Sequence, residues 1–299
     1  MRENRIENPF SSGVLHPWRY VTGALGGSPG MGKLKRLGSR LLYEYLARRY
    51  RQSEWTTMNY GYAALPHDAN PIDLETDEPE RFALQLYWRV ATAGSRGCRF
   101  ADLEVLEVGS GRGGGAAFIA RSLMPRRVVA LDFSSSATAL ARERYHGRES
   151  LEYVQGDAEH LSFDAASFDI VLNIESAHCY ASIPRFLAEV YRVLRPDGEL
   201  LFADFVSTQN GACERLQAML AASRFRSIRV DDITAQVVCA LELDEVRKRA
   251  LLDRWVTGPF KSFARGAYAM EGTAMRRALG AGQTVYLAAV LRKDAIGGA

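Results

Sequence analysis

The chain has 299 residues, 47% hydrophobic and 24% charged, the balance of an ordinary globular protein with one large core and added elements. No uninterrupted apolar run reaches the length of a membrane span, and the residues after Met1 lead into no signal-peptide core, so a cytoplasmic protein without stable membrane insertion is expected. Cys98, Cys179, Cys213 and Cys239 are scattered without CxxC spacing and away from the five histidines, which reads as four reduced thiols and no metal site.

The net charge of +3 is unevenly spread: residues 1–51 hold ten Lys/Arg against three acids, and the rest of the chain is net negative, which argues against nucleic acid as a partner of the main body. Gly23 to Gly32 is glycine-rich and reads as a flexible connection. A basic helix is expected next, carrying Lys33, Lys35, Arg36, Arg40, Arg48, Arg49 and Arg51, with Leu41, Leu42, Tyr45 and Leu46 at helical spacing. It reads as a helix packed on the core with a solvated basic face; an anionic carrier, a lipid surface or RNA are its alternative partners. In Met58-Asn59-Tyr60-Gly61-Tyr62, Tyr60 and Tyr62 are placed to close over a site and touch substrate, or else simply pin the arm. After a break from Leu65 to Pro71, Asp77-x-x-Glu80 with Pro79 in the first turn predicts a capped helix carrying Phe82, Leu84, Leu86, Tyr87 and Val90.

The stretch from Val105 to Gly115 carries the strongest signal: an apolar strand holding Glu107 breaks into Gly109-Ser110-Gly111-Arg112-Gly113-Gly114-Gly115, and a second apolar strand then ends in Asp132-Phe133. Strand, glycine loop, helix, strand and acid is how a doubly wound sheet holds a nucleoside, the acid accepting from ribose hydroxyls. Gly109-x-Gly111-x-x-Gly114 also satisfies the dinucleotide pattern. Glu107, two residues before the first glycine, would repel a pyrophosphate and attract the cationic end of S-adenosylmethionine (SAM). Gly156-Asp157-Ala158, after the strand Leu151–Val154, is placed to offer a carboxylate to an adenine amino group. Arg112 departs from the small or acidic residues usual in such a loop and is read as pointing to solvent.

Strands are expected near 103–108, 127–131, 151–154, 168–174, 199–205, 225–230 and 283–291, with a turn at Leu194 to Leu200. The fold class is therefore α/β, a doubly wound seven-stranded mostly parallel sheet, with helical patterning over 232–280 as a lid. The division is 1–75 as arm and part of the lid, 76–231 as core, 232–280 as lid insertion, and 281–299 as last strand and tail.

Over about 100–205 the chain resembles class I SAM-dependent methyltransferases. Asn173-Ile174-Glu175-Ser176-Ala177-His178-Cys179-Tyr180, continuing through Pro184 to Val190, and the earlier Leu74 to Phe82, resemble the phthiotriolone and fatty-acid O-methyltransferases that act on lipid and polyketide products. The resemblance implies SAM as cofactor, with Glu107, Gly109, Ser110, Gly111, Asp132, Phe133, Asp157, Ala158 and Asn173 around it. It also implies a catalytic His178, in the motif where that group has a histidine. A lone loop histidine is also a common surface or capping residue; as a neutral imidazole beside the methyl it can take an alcohol's proton. Glu175 orients His178 or meets the methionine end, and Tyr180 is a substrate wall or core. The expected reaction is O-methylation of a hydroxyl or carboxyl on a hydrophobic small molecule, free or carrier-bound. C-methylation of an enol or isoprenoid-like acceptor, an NAD-dependent oxidoreductase and an RNA methyltransferase are the alternatives; monomer and oligomer both stay open.

Overall fold

The computed structural model describes residues 41–295, apart from 42, 52–53, 69–73, 75–77 and 259. Seven strands, β1 (Glu104–Val108), β2 (Arg127–Asp132), β3 (Leu151–Gln155), β4 (Phe168–Ile174), β5 (Leu194–Ser207), β6 (Arg226–Asp232) and β7 (Thr284–Arg292), form one sheet in the order β3-β2-β1-β4-β5-β7-β6. β1 to β5 run parallel, and β7 lies antiparallel between β5 and β6. The strand order reverses between β1 and β4, so their carboxyl ends open a crevice where a doubly wound sheet receives ligands.

Each strand lies within a few residues of its expected position except β5, which starts at Leu194 because the expected turn is itself paired. There Asp197, at φ 60°, donates its N–H to Lys293 O at 3.0 Å, and Lys293 N–H returns to Gly198 O at 2.9 Å. Central strands read as continuous apolar runs because both faces are covered. On one face Val105, Val128, Leu201 and Tyr286 pack with α1 (Arg81–Ala91), α2 (Gly114–Ser122) and α6 (Thr234–Leu243). On the other, Leu106, Val129 and Leu200 pack with α4 (Ile183–Val193) and α5 (Ala212–Ala222), while α3 (Ser135–Arg144) connects β2 to β3.

α1 and α2 touch so closely that a Cβ at Gly115 would sit inside the Tyr87 ring. Gly115→Ala is therefore expected to destabilise the protein by about 1–3 kcal/mol through overpacking, read as a lower denaturant midpoint at unchanged m-value.

The start of α1 differs from expectation. Its N-cap is Glu80, without a side-chain cap, and Pro79 lies in the preceding turn; Asp77 is outside the described residues. The Glu80 carboxylate instead accepts N–H bonds from Thr56 and Thr57 at 3.1–3.2 Å and the Thr56 hydroxyl, so tertiary partners replaced the local cap.

Lys33, Lys35, Arg36, Arg40, Leu42 and the Gly23 to Gly32 stretch also lie outside the described residues. Residues 43–49 are helical; Leu46 and the following Tyr50 pack against Leu252, Val256 and Tyr268, whereas Leu41 and Tyr45 are exposed. The Glu44 carboxylate accepts the Ser135 N–H at 2.6 Å at the start of α3, where negative charge suits a helix N-terminus. Between β6 and β7, α6, α7 (Glu245–Trp255), α8 (Phe260–Ala267) and α9 (Ala274–Gly280) fill the stretch expected to be helical. Among the described residues no helix is long and apolar enough to cross a membrane.

Candidate active site

At the carboxyl ends of β1, β2 and β4 lies a cleft of about 1100 Å³, counting the solvent-open space at its mouth. Its floor is the glycine loop. Gly109, at φ 83°, and Ser110 both donate their N–H groups to Leu131 O, and a Cβ on Gly109 would overlap Ser176. A Cβ on Gly111 would meet only Met58 Sδ, at 3.7 Å, so that side of the loop is open to the cleft. Asp132 lines the cleft while its two oxygens accept the Gly111 N–H at 2.7 Å and the Ser134 N–H at 2.8 Å; burial raises its pKa. Asp157 also lines the cleft, with its carboxylate holding its own turn through Glu159 N–H and His160 Nδ1.

Gly109, Ser110, Gly111, Asp132, Phe133, Asp157, Ala158, Glu175 and Tyr180 stand together on the wall. Glu107, Asn173, His178, Tyr60 and Tyr62 do not. Glu107 is turned into the core, where its Oε1 accepts the Tyr87 hydroxyl at 2.6 Å and its Oε2 has no hydrogen-bond partner among the described residues. Burial pushes its pKa up to about 7. Tyr87 itself reaches the cleft. Asn173 holds the wall from behind, its Nδ2 donating to Val108 O, Ser176 Oγ and Tyr180 OH at 2.8–2.9 Å.

Glu175 follows β4 in a left-handed conformation, φ 46°, that turns its carboxylate inward. There Oε1 accepts the Tyr60 N–H at 2.6 Å and the Tyr286 hydroxyl at 2.9 Å, and burial raises the pKa to about 7. Glu175 therefore does not orient His178. That partner is Asp204 on β5: its Oδ1 accepts from His178 Nδ1 at 2.9 Å, and its Oδ2 accepts the His178 backbone N–H at 2.9 Å. Burial pushes the His178 pKa down, but the Asp204 carboxylate and the Cys179 thiol outweigh it, leaving it well above the usual range. His178 stands behind the wall formed by Cys179 and Glu175, its ring 4.6 Å from that of Phe205. Phe205 also stacks on Tyr60 at 5.4 Å, and the buried Tyr60 hydroxyl has no partner among the described residues.

Two expectations are corrected. Tyr62 faces away from the cleft and donates its hydroxyl to Asp68 Oδ2 at 2.9 Å, in a separate surface pocket with Arg89 and Asp231. Arg112 is 2% exposed, not solvated: it donates to Tyr50 O at 2.6 Å and lies 5.2 Å from the Trp55 ring centroid. Beside it the Gly114 N–H, at the start of α2, donates to Thr56 O at 3.1 Å. Tyr50, Trp55 and Thr56 thus sit directly on the glycine loop, and Thr57, Met58 and Asn59 form the opposite wall.

Residues 106–202 match a family described as a methyltransferase domain. A phthiotriol/phenolphthiotriol dimycocerosates methyltransferase of Mycobacterium leprae is 36% identical over 256 residues, 85% of this chain and 92% of the relative. The chain belongs to the SAM-dependent methyltransferases. SAM is its cofactor. A fatty-acid O-methyltransferase of Mycolicibacterium smegmatis is 41% identical over 175 residues, 58% of this chain and 61% of the relative. In fold, this methyltransferase is similar to a geranyl diphosphate C-methyltransferase from Streptomyces coelicolor A3(2), with TM-score 0.61 and 13% identity, covering 87% of this chain and 97% of that one. The NAD reading of the glycine pattern is set aside. The open side of Gly111 and the Asp132 carboxylate on the cleft wall suit a ligand with ribose hydroxyls.

Asp132→Ala is expected to weaken SAM binding by about 1–3 kcal/mol, because the carboxylate that tethers the glycine loop, and that would accept from ribose hydroxyls, is lost. Calorimetry giving the parent affinity would remove Asp132 from the cofactor site.

Proposed function

We propose that this methyltransferase acts on a hydroxyl or carboxyl oxygen of a hydrophobic polyketide or lipid-like molecule, with His178 taking the acceptor's proton or orienting it. The observation that carries the proposal is the buried His178–Asp204 pair on the loop after β4, beside the cleft. Bound SAM supplies a methyl already activated by its sulfonium; the residues must align an acceptor, exclude water and manage one proton. Asp132, Phe133, Asp157 and the glycine loop would hold the nucleoside, and Glu107 would act on the cationic end through its charge and through Tyr87. Asp204 accepts from Nδ1 and fixes the ring, so the imidazole is held in one orientation beside the cleft. The unpartnered Tyr60 hydroxyl offers a hydrogen bond to an acceptor oxygen, and Phe205 gives an apolar surface. The arm of 1–75 and the helices of 232–280 would act as a cover over the 76–231 core, with 281–299 completing the sheet.

The lipid-directed activities named for the two mycobacterial relatives support a hydrophobic acceptor. A second reading, C-methylation of an enol or isoprenoid-like acceptor, draws on Glu175: a buried carboxyl with a pKa near 7 on the wall of the cleft is poised to take a proton from carbon. A turnover screen over lipophilic alcohols, phenols, carboxylic acids and enols, free and carrier-linked, with mass spectrometry and NMR placing the new methyl, separates the two. A product methylated on oxygen supports the first, and one methylated on carbon replaces it.

A further inference from the structure

Lys248, on α7, is 3% exposed although it carries an ammonium group, and the mechanism above gives it no role. Its Nζ donates to the Tyr60 backbone carbonyl at 3.3 Å, lies 3.6 Å from Asp244 Oδ2 and 5.7 Å from the centre of the Tyr268 ring. Tyr60 is thus gripped from both sides, its carbonyl by Lys248 and its N–H by Glu175, residues far apart in sequence. Between those two bonds the Tyr60 ring stacks on Phe205, which contacts His178.

Burial works against this ammonium group and lowers its pKa, and a lysine is seldom kept in such a place without charged and hydrogen-bonding partners. Asp244 supplies the charged partner that favours the ammonium, but it does not depend on Lys248. The two Asp244 oxygens are already bound by Arg247 Nε and NH2, at 2.6 Å each, so the carboxylate would keep a partner without Lys248. What Lys248 alone supplies is the bond to the Tyr60 carbonyl.

We infer that Lys248 is a positioning residue for the acceptor: it ties the helical insertion to Tyr60 and so sets the Tyr60 hydroxyl and the Phe205–His178 surface in register. The inference rests on the proposed acceptor site around Tyr60 and His178. Small displacements of such a surface cost up to about a hundredfold in rate without touching the cofactor.

The test compares Lys248→Met and Lys248→Arg with the parent, alongside Tyr60→Phe and His178→Ala, in the full chain and with an acceptor found by the turnover screen. SAM affinity is measured by calorimetry and stability by thermal melting. Lys248→Met should lower kcat/KM for the acceptor by about 10–100-fold with SAM affinity within about twofold, and Lys248→Arg should recover part of the loss, because it still offers a donor. Unchanged acceptor kinetics in Lys248→Met, or an equal fall in SAM affinity, acceptor kinetics and melting temperature, overturns the inference. If Tyr60→Phe and His178→Ala also leave acceptor kinetics unchanged, the acceptor site itself is misplaced; if they impair it and Lys248→Met does not, only the role of Lys248 fails.

Discussion

His178→Ala is expected to slow methyl transfer to an aliphatic alcohol by about 10²–10⁴-fold while SAM still binds, because the alcohol has to lose its proton as the methyl arrives. With a carboxylate acceptor, already ionised, the loss should fall on acceptor KM instead. Asp204 adds a sharper signature. Its carboxylate raises the His178 pKa, so turnover should climb as pH rises through that raised value. Asp204→Asn removes the charge that favours the imidazolium, so the climb should move to lower pH. Rate profiles against pH for the parent and both variants decide the matter; if the Asn variant keeps the parent's profile, the pair does not govern the proton.

Glu107→Gln is expected to have opposite effects on stability and on cofactor binding. The carboxyl titrates near pH 7 when folded, above its ordinary value of 4.5, because burial disfavours the ion. A folded pKa raised in an acid means that the folded state holds the proton more tightly. Folding is therefore penalised increasingly from the unfolded pKa up to about 7, by an amount on the order of 3 kcal/mol above that. Glutamine has no proton to lose, so the SAM-free variant should melt higher than the parent at about pH 8 and much the same at about pH 5. A cation beside Glu107 favours the carboxylate. SAM, with its sulfonium and ammonium groups, should thus bind the parent more tightly as pH rises through 7, by about tenfold for each unit by which it lowers the pKa, and its demethylated product less steeply. In the variant that slope should vanish, with SAM weakened about 10–100-fold at about pH 8. Calorimetry across the pH range, together with melts, tests both halves; a variant that binds as the parent does, or melts lower at high pH, contradicts the account.

The parallel strands were legible because burial on two faces leaves contiguous apolar runs, and the glycine loop because only glycine tolerates φ 83° with Ser176 against it. Asp204 was not found, although a signal was there: an acid in the apolar run Leu201-Phe202-Ala203-Asp204-Phe205 is a buried charge that needs a partner. Arg112 was read as solvated because its partners, Tyr50 and Trp55, are more than fifty residues earlier and nothing local announces them. Tyr60 and Tyr62 looked equivalent two residues apart. Gly61 between them, at φ 91° and pressed on Phe82, sends one ring to Phe205 and the other hydroxyl to Asp68. Glu80 satisfied the capping pattern, but its carboxylate serves the neighbouring arm.

The Thr56 carbonyl on the Gly114 N–H also bears on how glycine fingerprints are read. A dinucleotide rests its diphosphate on the first free amides of the helix behind the loop, where the helix dipole gathers positive potential. In this protein one of those amides is spent on a neutral carbonyl from the chain itself, and a Cβ on Gly114 would stand only 2.7 Å from it. The spacing of glycines records how closely backbone is approached, not by what. Here the approaching backbone at the third glycine is the protein's own, so redesigning the loop toward a phosphate-bearing cofactor would first require displacing residues 55–57, and no change within the glycine motif would suffice.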